Sequence, residues 1–147
     1  MDYVLGSLLT GVGATAVMDL WGLTRKRAPD YGLVGRWLAH MPRGRLRHSP
    51  ISASAPVRGE RLIGWTAHYA IGVSFAALLL AVWGMEWARQ PTIGPALIVG
   101  LGSVVAPVLV MQPAMGTGFR AQSFVTHAVF GLGLYASAAA ARALNFF

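Results

Sequence analysis

The chain has 147 residues, 55% of them hydrophobic and only 12% charged, about half the usual charged share of a soluble domain. So few charges cannot coat a soluble fold, whereas a lipid-facing surface needs none. The net charge is +7 with no cysteine, which excludes disulfides, thiolate metal sites, thioether-attached haem and redox thiols.

The first apolar stretch runs from residue 3 to 24 and is interrupted by one acid, Asp19. Ala14-Thr15-Ala16 resembles a signal-peptidase site, but a secretory leader begins with positive charge. Here the amino-terminal side holds only Asp2, and the basic residues follow the apolar run. The expectation is a first span entering the membrane with its N-terminus outward.

Residues 25–61 form a basic first loop with nine of the twelve Lys and Arg residues. Such a footprint can mark a nucleic-acid binder. Lying between apolar spans, it instead points to membrane topology and anionic lipid headgroups, and no nucleic-acid partner is expected. Asp30 can cap a short helix in which Leu33, Val34, Trp37, Leu38 and Met41 recur at three- and four-residue steps. This predicts an amphipathic helix on the bilayer surface, stopped by Pro42. Arg43, Arg45 and Arg47 then lie at headgroup level. Residues 49–56 are small and turn-forming, either a linker or a segment folded back on the bundle.

Further spans are predicted at 62–85, 92–113 and 121–142. Each has the roughly 20 residues needed to cross about 30 Å of hydrocarbon as a helix. The predicted fold is all-α, a single membrane domain over 1–147 built as a four-helix transmembrane bundle with the surface helix in loop one. Ten basic residues fall on the side of loops one and three, against Arg89 and Arg142 on the other. The positive-inside bias therefore predicts a multi-pass protein with loops one and three cytoplasmic and both termini outside, periplasmic or extracellular.

The two halves resemble each other. His68 precedes Gly72 by four residues, as His127 precedes Gly131. Gly11-Val12-Gly13 with Met18-Asp19 parallels Gly100-Leu101-Gly102 with Met111-Gln112, offset by about one helical turn that a kink at Pro107 can absorb. This suggests a parallel repeat of two helices.

Asp19, His68 and His127 are each expected some 8–9 Å inside the same membrane boundary, with Gln112 ending the third span on that side. Small residues continue their faces: Gly11, Thr15 and Asp19; Gly64, His68, Gly72 and Ala76; Ser123, His127 and Gly131. Such stripes allow close helix approach. A ligand or proton site built from Asp19, His68, Gln112 and His127 follows as the leading expectation, serving binding or transport. Asp19, His68 and His127 would suit a divalent transition metal, or copper(I) with Met18 and Met111. The two histidines would suit haem. All are also residues of proton pathways. The competing reading is a structural or assembly subunit in which these groups only lock helices together, alone, as a homo-oligomer or with a partner membrane subunit. No phosphate-binding loop or marked nucleophile is present, and Asp19 and Glu86 fall on opposite sides of the membrane, so an enzyme is not expected.

Several segments together carry a family resemblance. They are Gly13-Ala14-Thr15-Ala16-Val17-Met18-Asp19-Leu20-Trp21, Tyr31-Gly32-Leu33-Val34-Gly35-Arg36-Trp37, Arg58-Gly59-Glu60-Arg61 with Gly64-Trp65 and His68-Tyr69, Met111-Gln112-Pro113, and His127 with Phe130-Gly131-Leu132-Gly133-Leu134-Tyr135. The set resembles an uncharacterised bacterial inner-membrane family catalogued as domain of unknown function 2938. The resemblance implies a compact four-helix membrane protein and no known activity. The stretch from Thr117 to Ser123 is shorter than that family's pattern, which constrains how Gln112 and His127 face each other.

Overall fold

The computed structural model describes residues 3–25 and 30–147. Asp2, Lys26 and Arg27 lie outside the described residues. The described residues form helices α1 (Tyr3–Thr24), α2 (Tyr31–His40), α3 (Glu60–Arg89), α4 (Ile93–Gly102), α5 (Gln112–Met115) and α6 (Gln122–Ala143), with no strand among them. A π-helical stretch, Ala106–Met111, joins α4 to α5. Four helical segments are long and apolar enough to cross a membrane: Tyr3–Thr24, Glu60–Arg89, Ile93–Met115 and Gln122–Ala143. Leu20, Leu23, Leu78, Val82, Ile98 and Leu109 point outward, each at least half exposed. Such a coat fits lipid, and the chain is a multi-pass membrane protein.

α1 and α6 are the central pair. α3 packs mainly against α1 and α4 mainly against α6, and α3 also touches α4 and α6. The buried core runs along these seams through Ala14, Ala76, Leu79, Leu80, Ala96, Phe130, Leu134 and Ala138. Two crossings are almost bare backbone. A Cβ at Gly11 would run into the Val73 backbone, and one at Gly100 into the Gly131 backbone. Small residues at such points bring helices close enough for backbone packing. The two hairpins, α1 with α3 and α4–α5 with α6, are therefore pinned in the same way, each at a glycine four residues past a histidine.

The third span is not one continuous α-helix. Pro107 has no N–H and its ring crowds the carbonyl of Ser103 four residues earlier. The chain breaks there in a turn and resumes with π-helical spacing. Such a bulge accommodates an extra residue within a helix. α3 is also interrupted, at Gly84, whose φ of 74° is the left-handed conformation that glycine tolerates.

Loop one folds back onto the bundle. Asp30 caps α2, its carboxylate accepting from Gly32 N at 2.9 Å. Helical structure continues through Pro42 in a 3₁₀ turn, Met41–Arg43, and ends at Gly44 with φ 73°. The apolar face of α2 is covered by protein. Trp37 is buried with Ile51 and Met115, and Leu33, Val34, Leu38 and Met41 pack around them. The 49–56 segment supplies this cover through Ile51, which is 1% exposed. Arg36 fixes the segment. Its Nε and Nη2 donate to Glu60 Oε2 and Oε1, both at 2.8 Å, and Nη1 donates to the Ser54 carbonyl at 3.1 Å. Hydrogen bonding to Glu60 holds the guanidinium above its ordinary range.

α2 reaches the bundle through two glycines. A Cβ at Gly64 would overlap the Tyr31 carbonyl oxygen, and one at Gly35 the Glu60 carbonyl oxygen. Gly64→Ala should therefore push α2 off α3 and cost about 1–3 kcal/mol. Gly102→Ala, where a Cβ would meet nothing within 4 Å, should stay within about 0.5 kcal/mol of wild type. Thermal unfolding in detergent checks both.

Candidate functional site

Asp19 lies near the loop-one end of α1, one turn beyond Thr15, on the face that α1 presents to α3. Gly72 and Thr15 meet at the crossing, and His68, one turn from Gly72, is thereby aimed at Asp19. The His68 Nε2 to Asp19 Oδ1 distance is 3.0 Å. A third group enters from loop one. The Tyr31 hydroxyl at the start of α2 donates to Asp19 Oδ1 at 2.8 Å and stands 2.9 Å from His68 Nε2. The Tyr31 and His68 rings stack at 4.3 Å. Side-chain exposure is only 13% for His68 and 12% for Asp19.

Counting protons assigns the tautomer. Tyr31 has one hydroxyl proton, and it goes to Asp19. His68 Nε2 must then carry a hydrogen, or its lone pair would oppose that of Asp19 Oδ1. Nε2–H donates to Asp19 Oδ1, with the Tyr31 oxygen beside it. His68 Nδ1 makes no hydrogen bond among the described residues, so it is the nitrogen open to a second proton. Burial, and then the Asp19 carboxylate beside it, pushes the Tyr31 phenol above its ordinary range. Tyr31 therefore remains a donor. Asp19 Oδ2 is buried, with no hydrogen-bond partner among the described residues. Trp65 closes the outer side, its ring 4.4 Å from that of Tyr31.

The other two expected members lie on the second seam. His127 Nδ1 pairs with Ser103 Oγ at 2.6 Å, and Ser103 Oγ donates to the Gly100 carbonyl at 2.6 Å. Gln112 serves the short turn before α6. Its Nε2 donates to Ser123 Oγ at 2.9 Å and its Oε1 accepts from Arg120 N at 3.2 Å. The expected set of Asp19, His68, Gln112 and His127 is therefore divided. The metal set of Asp19, His68 and His127 is likewise not brought together. Among the described residues no three His, Asp or Glu side chains are grouped to hold an ion. The cause is rotational. α3 turns its polar face to α1 and α6 turns its own to α4, so the two histidines meet different partners. For haem, His68 Nε2 is already engaged with Asp19 and Tyr31.

Sequence reasoning missed Tyr31 and Ser103. The signal for Tyr31 was its place directly after the capping Asp30, with Gly35 one turn further on. Such a glycine lets the helix lie against a neighbour, so the residue one turn before it also faces inward. Ser103 follows Gly100 by three residues and was read only as part of an apolar run.

A double-mutant cycle tests this division. Tyr31→Phe should cost about 1–2 kcal/mol and couple to His68→Gln by at least about 0.5 kcal/mol. Tyr31→Phe and Ser103→Ala should add within about 0.5 kcal/mol. Unfolding in detergent measures all three terms.

No curated protein and no solved structure matches the chain. A family model does, over residues 8–141, a range that includes Asp19, Tyr31, His68, Ser103, Gln112 and His127. The chain belongs to the family described as protein of unknown function (DUF2938).

Proposed function

We propose that Asp19, His68 and Tyr31 form a proton-accepting site for solute binding or transport in a bacterial inner membrane, with loops one and three cytoplasmic and both termini outside. The observation that carries this reading is the single oxygen, Asp19 Oδ1, that serves both the Tyr31 hydroxyl and His68 Nε2 while His68 Nδ1 is unbonded among the described residues. An imidazole facing a carboxylate gains a proton at Nδ1 without breaking its bond at Nε2. Asp19 then balances the new charge where apolar surroundings would oppose it. Ionisable groups within spans mark such pathways. The ten-to-two distribution of basic residues supports the orientation. The reading assigns no bond-making chemistry to the site. A static lock is the competing role, since the same three side chains tie α1, α2 and α3 together.

Infrared difference spectroscopy on protein with isotope-labelled aspartate, reconstituted in lipid, separates the two. Across a pH titration, the carboxylate band of Asp19 should move together with histidine ring modes. The Asp19 carboxylate band should vanish in Asp19→Asn, and its pH-dependent shift should vanish in His68→Gln. Bands that stay unchanged across the titration in the wild type would leave the lock as the role.

A further inference from the structure

Every described Asp and Glu side chain is committed away from the hairpin at residues 43–48. Asp19 pairs with His68, Asp30 caps α2, Glu60 holds Arg36 and Glu86 holds Arg89. The hairpin itself contains Arg43, Arg45 and Arg47, all exposed and without a side-chain partner among the described residues. Its backbone is nevertheless fixed. Trp37 Nε1 donates to the Leu46 carbonyl at 3.0 Å, and His48 N donates to the Ala114 carbonyl at 2.8 Å. Gly116, with φ 67°, lies against the His48 carbonyl so closely that a Cβ would not fit. These contacts set loop one beside loop three, whose turn is held by Gln112 and carries exposed Phe119 and Arg120. Leu46 and Phe119 are 57% and 67% exposed, and the Phe119 ring lies 6.3 Å from that of Phe124.

We infer that the two loops together form a docking site for the headgroups of anionic phospholipids. Arg43, Arg45, Arg47 and Arg120 supply donors to phosphate, and Leu46 and Phe119 insert beside the acyl chains. Charge complementarity selects this occupant. The site offers guanidinium donors, which suit phosphate bidentately, and among the described residues no Asp or Glu side chain competes for them. The apolar residues interleaved with them favour a lipid over free phosphate, because a soluble anion would leave Leu46 and Phe119 in water. Positive side chains near an anionic surface each strengthen attachment, and a clamped backbone avoids the entropy of ordering a loose loop. The inference is independent of the proton site, since none of these side chains touches Asp19 or His68.

The test is thermal stability of the purified protein in neutral detergent micelles doped with phosphatidylglycerol, phosphatidylcholine or inorganic phosphate. Phosphatidylglycerol should raise the Tm in a saturable way, while the other two should not. Arg43→Gln, Arg45→Gln and Arg47→Gln together should weaken the half-saturating lipid concentration by about tenfold or more. Arg58→Gln with Arg61→Gln, basic residues away from the hairpin, should leave it unchanged. Should the triple variant fail to fold, Arg120→Gln alone and Phe119→Ser alone should each still raise the concentration required. An equal shift with phosphatidylcholine, a full shift with inorganic phosphate, an equal loss in the Arg58 and Arg61 variant, or wild-type behaviour of the hairpin and loop-three variants would overturn the inference.

Discussion

An acid inside an apolar span dictates the arrangement around it. Asp19 is 12% exposed at its side chain, and a carboxylate so placed has to find donors or give up its charge. Two arrive at one oxygen, the Tyr31 hydroxyl and His68 Nε2. Meeting both fixes the rotation of α3 about its axis and the depth at which α2 docks.

Glycine makes those approaches feasible. The α1–α3 crossing at Gly11 and Gly72 and the α4–α6 crossing at Gly100 and Gly131 each bring backbone against backbone. A histidine lies one turn from each crossing, so each hairpin builds its own polar contact: His68 with Asp19 in one, His127 with Ser103 in the other. The halves are thus alike in packing and unlike in chemistry. Only the first contains an acid, and only the first receives a side chain from loop one. The second is interrupted by the π-helical stretch after Pro107, and its Gln112 is spent on the turn before α6.

Loop one has two structural duties carried by one short helix. The first residue of α2 completes the Asp19 contact, and its later residues hold the basic hairpin. Tyr31 faces the site, Arg36 grips Glu60 and the 49–56 segment, and Trp37 bonds the Leu46 carbonyl. A ten-residue helix is about 15 Å long, so the surface hairpin and the buried contact lie at the two ends of one rigid element.

Much of this was written in the chain itself. Helix length and hydropathy are local quantities, so four apolar segments and a basic loop follow from counting along the sequence. Axial position along one helix is local too, at a fixed rise per residue. The glycine and threonine stripes even marked which faces are buried. What remained open was which buried face meets which. Rotation about a helix axis and the choice of neighbour depend on contacts between residues far apart in sequence, and only the tertiary structure decided them. It set His68 against Asp19 and His127 against Ser103, and it turned the apolar side of α2 onto Ile51 and Met115. Tyr31 entered the site for the same reason: two glycines, Gly35 and Gly64, leave no side chain to hold α2 and α3 apart.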